Sequence, residues 1–172
     1  AAAVALTVGI TISDIKDGLL RFNGVQRRFN KIFSLNGVDF YDDYAHHPTE
    51  IKMTLDGVKK VYKDYEKVCV FQPHRISRLR DLRREFSFSF RNADMVILCP
   101  VYSAGEKIKL GFSYFKFAKE IIKNSKVRLF LIKDNIQLAK FVKKNIYGKK
   151  IVIGMGAGTI TNWMRELPKL MK

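Results

Sequence analysis

Val38-Asp39-Phe40-Tyr41-Asp42-Asp43-Tyr44-Ala45-His46-His47-Pro48-Thr49-Glu50 reads as a short strand that runs through a polar cluster into the first turn of a helix. The strand covers 38–43. The helix covers 48–62, with an apolar stripe at Ile51, Leu55, Val58 and Tyr62. Pro48 suits the first helical turn, where its missing N–H costs nothing and its φ is already helical. Further on, the same strand–polar cluster–helix unit recurs. Strands are expected at 67–72, 95–101, 127–132 and 149–155, and helices at 77–91, 111–123, 134–146 and 159–171. The later strands are continuous apolar runs without polar alternation, which marks a parallel sheet covered on both faces. Strands alternating with helices imply crossover units. A strand at 32–35 lies too close to 38–43 for a helical crossover, so these two form an antiparallel hairpin on one edge. The expected fold is α/β: a Rossmann-like, doubly wound, mostly parallel sheet with that edge hairpin.

Upstream the pattern changes. A helix runs over about Ser13–Phe22. Phe22-Asn23-Gly24-Val25-Gln26-Arg27-Arg28-Phe29 then breaks it, as a linker does. The apolar stretch Ala1–Leu6 lacks the basic flank and cleavage site of a signal peptide and reads as the end of a buried helix from a preceding domain. The chain divides accordingly into 1–30, the end of one domain plus linker, and 31–172, a second domain.

At 172 residues with 47% hydrophobic content the chain can bury a full core, and disorder is excluded. The net charge of +16 invites a nucleic-acid partner. The lysines are scattered over predicted helix surfaces and loops, however, and the expectation is of solvated faces with no nucleic acid bound. No apolar run is long enough to span a membrane, so a cytoplasmic protein is expected. Cys69 and Cys99 sit in apolar β-branched runs and read as small buried hydrophobes. They lack metal-ligand spacing, and no metal site is expected in this chain. No G-x-x-x-x-G-K-[ST] phosphate loop occurs.

An open parallel sheet binds ligands at the carboxyl ends of its strands, and four polar motifs fall there. Asp42–Glu50 carries two histidines able to hold an anion or a proton. It reads equally as a cap by His47 with Tyr44 packed. Gln72-Pro73-His74-Arg75-Ile76-Ser77-Arg78-Leu79-Arg80-Asp81 opens a helix with Ser77 as expected N-cap. Its three arginines oppose the helix dipole, a cost that points to holding a carboxylate or phosphate with bidentate forks. Val101-Tyr102-Ser103-Ala104-Gly105-Glu106 offers a carboxylate to pair with them. Gly154-Met155-Gly156-Ala157-Gly158-Thr159 is either an anion-facing turn or merely a tight one.

Together these blocks, in this order over essentially the whole chain, resemble the C-terminal portion of the Mur ligase family. Asp-Asp-Tyr-Ala-His-His-Pro-Thr-Glu at 42–50, and Pro-His-Arg at 73–75 followed by Arg78, are similar to its alanine-adding branch. Phe-x-Gly-Val-x-Arg-Arg-Phe at 22–29 looks like the family's linker between central and C-terminal domains. The resemblance implies an ATP-dependent, C–N bond-forming ligase of peptidoglycan precursor synthesis. ATP with Mg2+ phosphorylates a UDP-sugar carboxylate, here UDP-N-acetylmuramate, and the amine of L-alanine attacks the acyl phosphate. The resemblance implies that the N-terminal domain holds the UDP-sugar and the central domain ATP and Mg2+, so this chain alone is not expected to hydrolyse ATP. By similarity Tyr44, His46, Arg75 and Arg78 line the alanine site, His46 and Arg75 being the catalytic candidates. Arg28 and Asp43 face the nucleotide, Asp43 at the ribose hydroxyls. Thr159 stands where the family carries Asp or Asn, and Ala45 where glycine is commoner. The competing expectations are a basic nucleotide- or nucleic-acid-binding module and a ligase remnant without function.

Overall fold

In the computed structural model, residues 1–22, 24–107 and 113–172 are described. Asn23 of the linker motif and positions 111–112 of the expected helix 111–123 lie outside them. Two helices come first, α1 (Ala2–Thr7) and α2 (Ile12–Arg21). The sheet follows: β1 (Asn30–Leu35), β2 (Val38–Asp43), β3 (Glu66–Phe71), β4 (Met95–Leu98), β5 (Arg128–Leu131) and β6 (Lys150–Met155). The crossing helices are α3 (Pro48–Val61), α4 (Ile76–Asp81), α5 (Arg83–Phe88), α6 (Tyr114–Ser125), α7 (Asn135–Asn145) and α8 (Ile160–Leu170).

The strand order is β1-β2-β6-β3-β4-β5. Only β1 runs antiparallel to its neighbour, with Leu35 opposite Val38; the other pairs are parallel. Asn36 and Gly37 both take positive φ, 51° and 77°, the two-residue turn that matches strand twist. The fold is the expected doubly wound sheet with an antiparallel edge hairpin.

Side chains alternate between two cores. On one face Ile51, Leu55 and Val58 of α3, Phe86 of α5, and Phe117 and Ile121 of α6 pack on Cys69, Phe71 and Ile153. On the other, Leu138 and Val142 of α7 with Ile160, Met164 and Leu167 of α8 cover Val68, Val70 and Val152. Helices after β2 and β3 thus lie on one face, and the helix after β6, the strand between them, lies on the other. In a sheet of this kind that reversal, beyond the carboxyl ends of β2, β6 and β3, is where ligands are expected to bind.

Three expectations are corrected. The helix expected over 77–91 is two, α4 and α5, broken at Leu82 (φ −107°, ψ 24°). Packing against α6 sets the second piece: Arg83 grips Glu120 with two 2.6 Å bonds, and Ser125 Oγ donates to Ser87 O at 2.7 Å. The strand expected over 95–101 stops at Leu98. The β5 strand is an edge, with Phe130 and Leu131 exposed on it rather than doubly covered. Among the described residues no helix is long and apolar enough to cross a membrane.

Candidate functional site

The β2–α3 loop is held by its own polar groups. His47 is the N-cap of α3: its Nδ1 accepts from Thr49 N–H at 3.4 Å, and Pro48 follows at N1. The Glu50 carboxylate accepts from His46 N–H (2.9 Å) and His47 N–H (3.1 Å). Burial pulls the Glu50 pKa up, but these two N–H donors and the neighbouring His46 and Arg28 outweigh it and hold the group below its usual value. Asp43 is buried, and its two oxygens accept from Phe29 N–H (2.9 Å) and Ala45 N–H (2.7 Å). Burial dominates there, lifting the carboxyl above its usual range against those bonds and Arg28. Ala45 itself is buried.

His46 Nδ1 lies 3.0 Å from Tyr44 O and 3.3 Å from Glu50 Oε2. Its ring meets that of Tyr44 edge-on at 5.1 Å and that of His74 at 5.9 Å. His74 in turn stacks on Tyr102, with ring centroids 5.4 Å apart. The loop after β3 is tied to the loop after β4 by Arg75 N–H to Tyr102 O and Tyr102 N–H to Pro73 O, both 2.8 Å. Four rings from three loops therefore form one continuous rim.

Arg75 caps α4 from a left-handed conformation, φ 70°. For a residue with a Cβ this is strained, and such strain concentrates at ligand sites. Ser77 is not the N-cap. It lies inside α4, and Glu106 accepts both its N–H (3.0 Å) and its hydroxyl (2.6 Å). Glu106 therefore caps the helix from outside instead of forming the expected arginine pairs. Those two bonds lower its pKa, with Arg75 a smaller influence. Arg78 donates Nη1 to His74 O at 3.4 Å. Arg80, the third arginine of the motif, pairs with Asp81 at 2.8 Å on the surface.

The glycine turn proves to be a packing device. A Cβ on Gly156 would lie 2.7 Å from Gln72 O, and one on Gly158 would lie 2.6 Å from Gln72 Oε1 and 2.7 Å from Tyr102 Cγ. Gly156 N–H is taken by Asp43 O. Gln72 accepts from Ile160 N–H and donates to Thr159 Oγ1, both at 3.0 Å, so it caps α8 from the neighbouring strand.

Tyr44 and His46 thus stand on the β2–α3 loop, and Arg75 and Arg78 at the N-cap and in the first turn of α4, which follows β3. Arg28 is exposed beside them, its guanidinium 5.9 Å from the Tyr44 ring centre. Sequence reasoning gave no role to His74, Tyr102, Gln72 or Arg27. The first three sit inside quoted motifs, and Arg27 is masked by the pairing with Arg28. Among the described residues no three His, Cys, Asp or Glu side chains come together as a metal site.

A mostly parallel, doubly wound sheet with an antiparallel edge pair and helices on both faces places the domain in the Rossmann-like α/β class. Residues 27–158 match the family model described as Mur ligase, glutamate ligase domain, and the chain belongs to that family. It is 66% identical over 171 residues to the UDP-N-acetylmuramate–L-alanine ligase of Pelagibacter ubique (strain HTCC1062), covering 99% of this chain and 37% of that protein. It is 39% identical to the ligase of the same name from Brachyspira hyodysenteriae, over 98% of this chain and 36% of that one. The solved UDP-N-acetylmuramate-alanine ligase of Thermotoga maritima superposes with a TM-score of 0.75 at 25% identity, over 97% of this chain and 35% of that chain. The chain spans about a third of the length of these relatives, matching their C-terminal part.

Proposed function

We propose that this chain is the amino-acid-holding, C-terminal domain of an ATP-dependent ligase that joins L-alanine to UDP-N-acetylmuramate in the cytoplasm. The first 30 residues are the end of its central domain and the linker. Exposed apolar side chains on α1 and α2, among them Val4, Leu6, Leu19 and Leu20, support that division. The observation that carries the functional reading is that Tyr44 and His46, on the loop after β2, meet His74 of the segment after β3 that carries Arg75 and Arg78. The upstream segments hold ATP with Mg2+, which supplies the phosphoryl group that activates the sugar carboxylate as an acyl phosphate. Arg75 and Arg78 clamp the alanine carboxylate, and Tyr44 walls its methyl group. Fixing the carboxylate aims the amine at the activated carbonyl, which removes most of the entropy of the encounter. His46, with Nδ1 turned toward Tyr44 O and Glu50, presents its other ring nitrogen to the amine. Arg28, on the linker, and Asp43, at the end of β2, face the nucleotide; the carboxylate keeps lone pairs beyond its two backbone bonds.

The test is ATP-dependent product formation by the complete polypeptide, scanned over L-alanine, glycine and L-serine. L-alanine is expected to give the highest kcat/KM, with ADP released in step with amino acid consumed. The isolated chain is expected to release no ADP. Incorporation of none of the three amino acids overturns the reading.

A further inference from the structure

Arg27, on the linker, contacts three neighbouring segments among the described residues. It takes φ 59°, and Phe29, two residues on, takes 52°. Two left-handed residues of this kind persist only where surrounding contacts hold them. For Arg27 those contacts reach three elements. Its Nη2 donates to Gly156 O at 2.7 Å, in the turn after β6. Its Nε lies 3.6 Å from Asp42 Oδ2 at the end of β2, both atoms being buried without a closer partner among the described residues. The other Asp42 oxygen accepts from Thr161 of α8 at 3.0 Å. The Arg27 carbonyl accepts Tyr44 N–H at 2.7 Å. Its guanidinium covers the Tyr44 ring, 4.7 Å from the centroid. On the Tyr44 ring, the His46 edge at 5.1 Å is the contact from the binding rim.

We propose that Arg27 is a positioning residue: it fixes Tyr44 from both backbone and ring, so that the amino-acid pocket is assembled only while the linker is docked on β2 and β6. Arg27 does not touch the amino acid. It acts through Tyr44, and the proposal rests on the reading of Tyr44 as a wall of that pocket. Arginine is required because one planar fork stacks on the ring and bonds a carbonyl at once. Lysine has a single point charge and satisfies only part of the set. A docked linker and a bound amino acid then favour each other by the same factor.

The experiment is a double-mutant cycle in the complete enzyme with Arg27→Met, Arg27→Lys and Tyr44→Leu, read as KM for L-alanine against KM for ATP. Arg27→Met is expected to raise KM for alanine about tenfold, a size in keeping with a part-buried cation–π contact plus a hydrogen bond. KM for ATP moves by less than about threefold, and Arg27→Lys falls between wild type and Met. In the Tyr44→Leu background the Arg27 effect largely disappears. Additive effects of Arg27 and Tyr44, or equal rises in both KM values, overturn the proposal. If Arg27→Met fails to fold, the cycle is run with Arg27→Lys and the same criterion applies. Should Tyr44→Leu alone leave KM for alanine unchanged, the pocket reading itself fails, and the inference falls with it.

Discussion

His74 sits where three loops meet, stacked on Tyr102 and edge-on to His46, with Nδ1 buried and without a hydrogen-bond partner among the described residues. Burial, then Arg78, His46 and Arg75, push its pKa below the ordinary 6.5, and Glu106 pulls weakly the other way. The folded state therefore binds the His74 proton less readily than the unfolded chain. Its contribution to stability is whole above pH 6.5 and falls away as the pH drops below that value toward the depressed folded pKa. His74→Gln should lose this part of the acid limb. Thermal unfolding across pH 5 to 8 checks it: the wild type should lose melting temperature faster than the variant below pH 6.5. Parallel profiles would mean the ring protonates freely in the fold. At this scale the sequence was readable in part. Pro48 at N1 followed from local helix-start rules that need no tertiary information, whereas capping by His47 was one of two readings the sequence left open. Ser77 looked like a cap by the same rules, but Glu106, 29 residues on, takes both its donors, and no local rule contains that partner.

Elements show the same division between local and distant causes. The strand-to-helix turn at 154–159 was visible from its glycines, but their purpose was open between anion binding and close packing. Packing decides it, because the neighbours are Gln72 and Tyr102 from two other strand ends. Gly156 combines φ 150° with a Gln72 carbonyl 2.7 Å from any added Cβ. Gly156→Ala should therefore cost about 2–4 kcal/mol, from strain plus a backbone clash that no rotamer change relieves. Denaturant unfolding of the two proteins measures it directly, and a loss under about 0.5 kcal/mol would contradict the packing account. The helix break at Leu82 and the exposure of β5 escaped the sequence reading for a related reason. Apolar periodicity reports that a residue packs, not which neighbour it packs on, and α6 and the sheet edge supply those neighbours.

For the molecule as a whole, the alternation of strand and helix dictates a doubly wound sheet, and the sheet dictates where ligands go. That much was legible from periodicity and from the order of the polar motifs. The linker's grip was not: Arg27 reaches Gly156 across 129 positions of chain, through contacts that spacing does not encode. Lysines on helix faces, such as Lys59 and Lys60 of α3 and Lys143 and Lys144 of α7, contribute to the net charge of +16. The central claim is that the rim beyond β2 and β3 holds the carboxylate of the incoming amino acid. Steady-state kinetics of Arg75→Ala and Arg78→Ala in the complete enzyme, with L-alanine varied against saturating ATP and UDP-N-acetylmuramate, tests it most directly. Each change should lower kcat/KM for alanine by about 10²–10³, the loss of one charged donor from a site closed to water, while half-saturation by ATP stays within a few-fold of wild type. Variants that saturate with alanine as the wild type does, at the wild-type rate, would contradict the account.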